Sequence, residues 1–435
     1  MAQVTIRQGE RRVCVSFEGA RPLSSVLAEL DLPVAQPCGG RGVCGKCAIS
    51  AAGAVSPLSE AERRAGTRLA CQTLLLGDCE IVLPLCAPIE QIELTAQGEA
   101  LSEATKPMPG RYGAAVDVGT TTLALQLLEL PSGRSVGSAA AINPQTTVAA
   151  DVVGRIGAAL EGQAERMRRQ ATDALQRLLN AACEEAGVDG RKVESMVITG
   201  NTTMLHLLTG TPVDALARAP FLPQTLFGET RTILGRTVYL PPCAGVFVGA
   251  DTVCAVLSAE LCRQGKTAAL MDIGTNGEIA LWHGGELYLC STAAGPVFEG
   301  AGISCGCASV AGAIDRVWVE GGALGVHTVG NAPPVGVCGS GLVDAVAAMR
   351  ALGWIDETGA ADSARLPLAG NIYLMPEDIR GVQMAKAAMA AGLSLLLETA
   401  GIPARDVSAL HIAGGFGSHV SPQSAAAIGL IPREL

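Results

Sequence analysis

Asp117-Val118-Gly119-Thr120-Thr121-Thr122 follows the short apolar run that begins at Gly113, and Asp272-Ile273-Gly274-Thr275-Asn276-Gly277 follows a second run that begins at Ala268. A Gly-Thr turn between two strands presents backbone N–H groups and hydroxyls suited to phosphate oxygens. An aspartate at the strand end suits a hydrated Mg2+, which keeps several of its waters. One such turn arises by chance in many hairpins. Here two occur 155 residues apart (272 − 117 = 155), each opening a similar strand–turn–strand unit. Neither matches the P-loop or the Rossmann glycine pattern.

Working outward, Gly113–Val118 and Thr122–Leu130 read as paired strands, Gln163–Gly187 as an amphipathic helix, and Val193–Thr199 as a further strand. Met167, Leu175, Leu178, Leu179 and Ala182 form the apolar stripe of that helix. The pattern restarts near Lys266 with Ala268–Ile273, Gly277–Trp282 and Glu286–Ser291, then a helix over Gln383–Ala400 and a strand over Ala409–Ala413. This is the pattern of a duplicated α/β unit. Gly414-Gly415-Phe416-Gly417 follows the last strand and is placed to pack on an adenine or ribose. Cys338-Gly339-Ser340-Gly341 precedes an alanine-rich helix, Leu342–Leu352, and also reads as a plain turn before a helix N-terminus.

Ahead of this unit, Val4, Ile6, Val13, Val15 and Phe17 suggest a hairpin and Leu23–Leu30 a short helix. Cys38, Cys44, Cys47 and Cys71 follow the spacing C-x5-C-x2-C-x23-C. Three thiolates on one loop and a fourth from elsewhere is the plant-type [2Fe–2S] arrangement, and this loop is one residue longer than C-x4-C-x2-C. Glycines 39, 40, 42 and 45 let such a loop wrap and offer N–H groups to sulfur. Structural zinc is the rival for the same thiolates, but zinc sites usually pair two C-x2-C units and only one is present. Cys14, Cys79 and Cys86 are the other nearby cysteines, and Cys79 is the nearest substitute ligand. The chain divides into 1–86, a linker at 87–110, and two subdomains at 111–265 and 266–435.

The 435 residues are 49% apolar and 17% charged, which buries a core readily. A net charge of −10 argues against nucleic acid, which demands a basic face. No signal or transit composition precedes the first strand, and no apolar run reaches roughly 18 residues. The expectation is therefore a cytoplasmic chain with no membrane span. In that setting, metal ligation explains part of the set of 15 cysteines better than disulfides do.

The three glycine features, in this order, resemble the ASKHA superfamily of acetate and sugar kinases, actin and heat-shock chaperone ATPases, in which duplicated RNase H-like subdomains close on ATP. The resemblance implies an α+β, β-grasp ferredoxin-like domain followed by an α/β ASKHA domain. It makes Gly119, Thr120, Thr121 and Thr122 the first phosphate loop and Gly274, Thr275, Asn276 and Gly277 the second. Gly414, Gly415 and Phe416 become the adenosine motif, and Gly339 and Ser340 the second connecting segment. With a [2Fe–2S] domain in front, the chain resembles the reductive activators of corrinoid-dependent enzymes. Asn143-Pro144-Gln145, Asp151–Ile156, Gly200–Met204, Pro220–Pro223, Ala294–Gly300 and Ser304–Gly306 match that family's local strings. Many members carry an extra domain where only a short linker stands here.

That resemblance implies one electron passed from the cluster to Co(II) of a corrinoid protein, driven by ATP with Mg2+ held by Asp117 and Asp272. It further implies an external low-potential electron donor and a homodimer. Asp151 is the candidate for orienting the attacking water, with Glu278 as rival; the alternative for Asp151 is a helix-terminal carboxylate. His206, His283, His411 and His419 show no partner in the sequence and read as structural. Competing functions are a small-molecule kinase with a redox accessory, an ATP-driven donor of the 2-hydroxyacyl-CoA dehydratase activator kind, and a redox-sensing scaffold.

Overall fold

The computed structural model describes residues 2–9, 11–30, 32, 34, 42, 47–83, 111–130, 132–149, 151–263, 265–361, 363–415 and 417–435. The linker expected at 87–110 lies outside them.

In the first domain, Ala2–Gln8 and Arg11–Phe17 form the expected antiparallel hairpin, with Val4 opposite Val15. Alternation puts Val4 and Ile6 inward. Leu74–Val82 then pairs parallel to the first strand and antiparallel to Ala48–Val55. Leu23, Val26 and Leu27 of the helix Leu23–Glu29 pack on this mixed sheet with Phe17, Ile49, Leu69, Leu75 and Ile81. The arrangement is a β-grasp.

A buried carboxylate fastens its far end. Ser59 and Glu62 form a capping box on the helix Glu60–Ala65. Glu62 also accepts from the Leu69 N–H at 3.0 Å and the Thr73 hydroxyl at 3.3 Å, so it braces the segment that carries Cys71.

The larger part holds two sheets with one shared plan. In the first, Tyr112–Val118, Thr122–Glu129 and Arg134–Ile142 are successive antiparallel neighbours, and Val193–Gly200 lies parallel to the first of them. In the second, Ala268–Ile273, Gly277–His283 and Glu286–Thr292 repeat the order, and Ala409–Ala413 lies parallel to the first of them. Each sheet buries a helix against its own core. Met167, Leu175, Leu178, Leu179 and Ala182 of Ala164–Glu185 are all buried. Met389 and Leu393 of Pro376–Ala400 fill the second core. That helix presses so close to the strand Gly277–His283 that a Cβ on Gly277 would collide with the Met389 sulfur.

Two helix starts differ from the reading of the sequence. The long second-half helix begins at Pro376, not Gln383, because proline sits at its first turn and Asp378 accepts from the Met375 N–H at 2.8 Å. Gly339 and Ser340 belong to the first turn of the helix Gly339–Ala351 and not to a preceding loop.

Burial pushes the Glu62 carboxyl up, but the Leu69 and Ser59 N–H donors outweigh it and hold the group below its ordinary 4.5. A lowered folded value means that its stabilisation is complete above 4.5 and is lost as pH falls through the lower value. We expect Glu62→Gln to cost about 1–3 kcal/mol near neutrality. The variant should also remove part of the acid-labile protection of the Leu69 amide, followed by hydrogen exchange; an unchanged pH profile would contradict this role.

Candidate functional site

The strand Tyr112–Val118 delivers Asp117 to its C-terminal end, and Gly119 turns the chain so tightly that an added Cβ would lie 2.6 Å from the Thr122 carbonyl. Three strings noted in the sequence converge on this loop. Asn143 donates to the Gly119 carbonyl at 2.8 Å, and Asn201 donates to the Thr120 hydroxyl at 3.1 Å. Arg155, fully buried, donates to the Thr120 carbonyl at 2.5 Å, the Ala149 carbonyl at 3.1 Å and the Gln145 side chain at 3.2 Å. Burial lowers its guanidinium to about 10, partly countered by Asp151. A buried cation of that strength is kept for its fixed fork of donors.

The second loop is held from its own half. The Gly274 N–H donates to the Asn276 carbonyl at 3.2 Å, and the Gly295 N–H to the Thr275 carbonyl at 2.9 Å. The two loops then meet. Thr121 and Thr275 hydroxyls lie 3.2 Å apart, and both donate to Glu299, at 3.0 and 2.8 Å.

Four carboxylates gather behind them. Asp272 and Glu278 are cross-strand partners. Burial, with Asp251 beside it, pushes Asp272 up to about 6, and burial with Asp251 and Asp272 pushes Glu278 up to about 9. Desolvation within the cleft and the same two aspartates also push Asp117 upward. Asp251 rises as well, through burial. Among the described residues no Lys or Arg forms an ion pair with any of the four. Among the same residues no three His, Cys, Asp or Glu side chains converge tightly enough to chelate a metal directly. Neighbouring acids of this kind could hold a hydrated Mg2+ through its own waters.

The remaining candidates separate. Gly414 sits against Asp272, where an added Cβ would meet its Oδ1 at 2.8 Å, so the third glycine cluster borders the cleft. Phe416 lies outside the described residues. Ser340 is buried, and its hydroxyl donates to the Asp315 carbonyl at 2.9 Å. With Gly339 it serves the helix start. Asp151 is exposed and caps the helix Val152–Ala158, accepting from the Gly154 N–H at 2.7 Å. That is the helix-terminal alternative for this residue. His206 is buried, with Nδ1 at 2.7 Å from the Thr202 carbonyl.

In the first domain Cys47 and Cys71 bring their sulfurs to 3.3 Å, neither in a disulfide. The Cys47 thiol, followed in strength by opposing burial and then by Gln72 and the Gly42 N–H, sets the Cys71 thiol down at about 6. Two adjacent soft donors, one favouring the thiolate, fit an iron–sulfur centre. Cys38, Cys44 and Cys86 lie outside the described residues. Cys79 is on the strand Leu74–Val82, buried in the domain core, and burial and Asp78 raise its thiol.

Glu299, Asn143, Asn201 and Arg155 lay inside strings visible in the sequence but had no assigned role there. A signal existed for Asn143 and Asn201, each a side-chain amide just before a turn or helix. None existed for Glu299.

Three family models tile the chain. A 2Fe-2S iron-sulfur cluster binding domain matches residues 6–76, the RACo middle region 112–264, and the C-terminal domain of RACo, the ASKHA domain, 266–435. The "corrinoid activation enzyme RamQ" of Eubacterium limosum is 32% identical over 372 residues, 76% of this chain and 62% of that protein. The "[Co(II) methylated amine-specific corrinoid protein] reductase" of Methanosarcina barkeri is 23% identical over 361 residues, 74% of this chain and 66% of that protein. The chain thus spans just under two thirds of these relatives' length. A solved "reductive activator for corrinoid, iron-sulfur protein" superposes with a TM-score of 0.70 at 26% identity, covering 99% of this chain and 89% of the other.

Arg155→Met removes every donor that ties Thr120 to Gln145 and Ala149 and leaves buried carbonyls unpaired. We expect a loss of about 3–5 kcal/mol, read as the urea midpoint, together with faster amide exchange at residues 119–122. Arg155→Lys should recover only part, because one ammonium cannot span three acceptors; full recovery would show that charge alone is what matters.

Proposed function

We propose, from the premise that the chain belongs to the family joining a 2Fe-2S domain to the RACo middle region and the ASKHA domain, that it is an ATP-dependent reductive activator of a corrinoid protein. It returns the Co(II) form of a methyltransferase corrinoid partner to Co(I). The observation that carries this reading is the presence, in one chain, of a thiolate-favouring cysteine pair and of two phosphate-type loops that meet across a cleft.

Cys47 and Cys71, with Cys38 and Cys44, would hold the [2Fe–2S] cluster, which when bound supplies a one-electron relay near about −400 mV. Each ~59 mV of shortfall against the cobalt couple costs tenfold in the equilibrium. The cysteine domain alone therefore leaves the partner mostly oxidised, and free energy has to come from elsewhere. An ATP-bound form that prefers a different state of the corrinoid partner provides it through linkage.

On the nucleotide side, Asp117 and Asp272 would hold a hydrated Mg2+, which when bound neutralises phosphate charge. Gly119, Gly274 and Gly277 shape the two loops, the side chains of Thr120, Thr121, Thr122, Thr275 and Asn276 bind and orient the phosphates, and Gly414 and Gly415 face the adenosine end. Asp151 already uses one carboxylate oxygen as a helix cap, so any part in orienting water falls to its other oxygen. An external low-potential donor recharges the cysteine domain, and the active form is a homodimer.

The test is anaerobic. Protein with iron and sulfide restored is mixed with a Co(II) corrinoid protein and a low-potential reductant, and loss of the Co(II) EPR signal is timed with and without Mg-ATP. We expect at least a tenfold acceleration by ATP. Equal rates would sink the proposal. In the same assay Asp272→Asn should abolish the ATP effect while leaving iron content intact. Cys47→Ser should do the reverse, losing iron while still binding nucleotide; if either variant loses both properties, the two sites are not separable in the way described.

A further inference from the structure

Glu299 lies on the one-turn helix Pro296–Glu299, which is bracketed by Gly295 and Gly300, both at positive φ (77° and 76°). Phe298 anchors this turn in the second-half core. A Cβ on Gly300 would collide with the Cys307 backbone, so the turn cannot slide. The Gly295 N–H is bound to the Thr275 carbonyl at 2.9 Å. Glu299 is thus built rigidly into the half that carries the second loop, and its contact with Thr121 crosses to the other half.

A threonine hydroxyl has a single hydrogen to donate. Those of Thr121 and Thr275 are both spent on the Glu299 oxygens, Oε2 and Oε1. A phosphoryl oxygen is another acceptor and carries the same sign of charge as the carboxylate. It cannot share those hydrogens, and it is repelled from the place where Glu299 sits. With the hydroxyls 3.2 Å apart, no phosphoryl group fits between them from opposite sides.

We propose that Glu299 is an anionic latch across the cleft, holding the Thr121 hydroxyl as an occupied donor of the first loop, so that nucleotide phosphate binds there by displacing Glu299 from Thr121. This rests on the reading of 117–122 and 272–277 as phosphate loops. Binding then breaks the Thr121–Glu299 contact between the halves, which stay packed through Val256, Leu261, Ala268, Leu270 and Ala280, while Gly295 keeps the turn that bears Glu299 attached to the second loop. Glu299 acts here as a positioning residue for the loops.

The experiment uses the full chain and Mg-ADP, measured by isothermal titration for wild type, Glu299→Gln and Glu299→Ala, alongside hydrogen exchange at 119–122 without nucleotide. The latch predicts affinity roughly tenfold tighter for the alanine variant. Glutamine, isosteric but uncharged, should give a smaller gain, and both should speed exchange of the first loop. Unchanged or weaker affinity in glutamine, the variant that preserves packing, overturns the latch, and weaker affinity with hydrolysis lost would make Glu299 a direct contact of the nucleotide. Failure of all three proteins to bind Mg-ADP overturns the nucleotide reading itself, and the latch with it. Binding by the variants but not by wild type supports the latch in its strongest form.

Discussion

Two hydroxyls and one carboxylate join the two loops of the larger domain across its halves. Thr121, Thr275 and Glu299 come from positions separated by 154 and 178 residues, yet their oxygens sit within hydrogen-bond distance of one another. Everything that fixes the first loop serves this contact: Asn143 on Gly119, Asn201 on Thr120, and the buried Arg155 fork behind them. These are polar groups taken out of water, each costly unless satisfied. Most are satisfied by backbone carbonyls. The first half therefore presents a preorganised loop that moves as a unit with its sheet.

Behind the contact the chemistry is of one sign. Burial first, and Asp251 beside them second, raise the affinity of Asp117, Asp272 and Glu278 for protons, and burial raises that of Asp251. No basic side chain among the described residues offsets them. Such a cluster weakens the fold that carries it unless something cationic repays the cost. On the proposed function, a hydrated divalent ion would do so. The duplicated topology explains why the acids meet: two equivalent strands end at one cleft, each bringing its own aspartate.

The strand–turn–strand units were legible because alternation and a Gly-Thr turn are both local signals. The stripe of Ala164–Glu185 was legible for the same reason, since Met167, Leu175 and Leu179 fall on one helical face. The helix from Pro376 was read too short. Its first turns are closed by a proline and a side-chain cap and contain Gly381, all of which resemble a loop when read alone. Asp151 is a different case. An exposed carboxylate opening a helix looks the same in sequence whether it caps the helix or orients water, and here one oxygen is occupied by the Gly154 N–H. Glu299 was hidden for a deeper reason: its significance lies wholly in residues brought to it by the fold. In the first domain the sequence named four thiols, and of these the structure describes Cys47 and Cys71 in contact.

A shared carboxylate also bears on how the two ends of the chain can work together. A ligand shifts a conformational equilibrium only by its difference in affinity for the two states. If nucleotide bound both arrangements of the cleft equally, its binding energy would do nothing for electron transfer, however tight the site. On the latch proposal, the Thr121–Glu299 contact supplies such a difference, because one arrangement has the Thr121 hydroxyl occupied and the other has it free. The energy that nucleotide spends in breaking that contact is then available as a change in the surface offered to a partner. Cys47 and Cys71 need not themselves approach the nucleotide for this to matter. On the proposed function, what the cleft would control is which partner state is held, so that the difficulty of reducing cobalt from a thiolate-bound donor would be met by changing the acceptor and not by changing the donor.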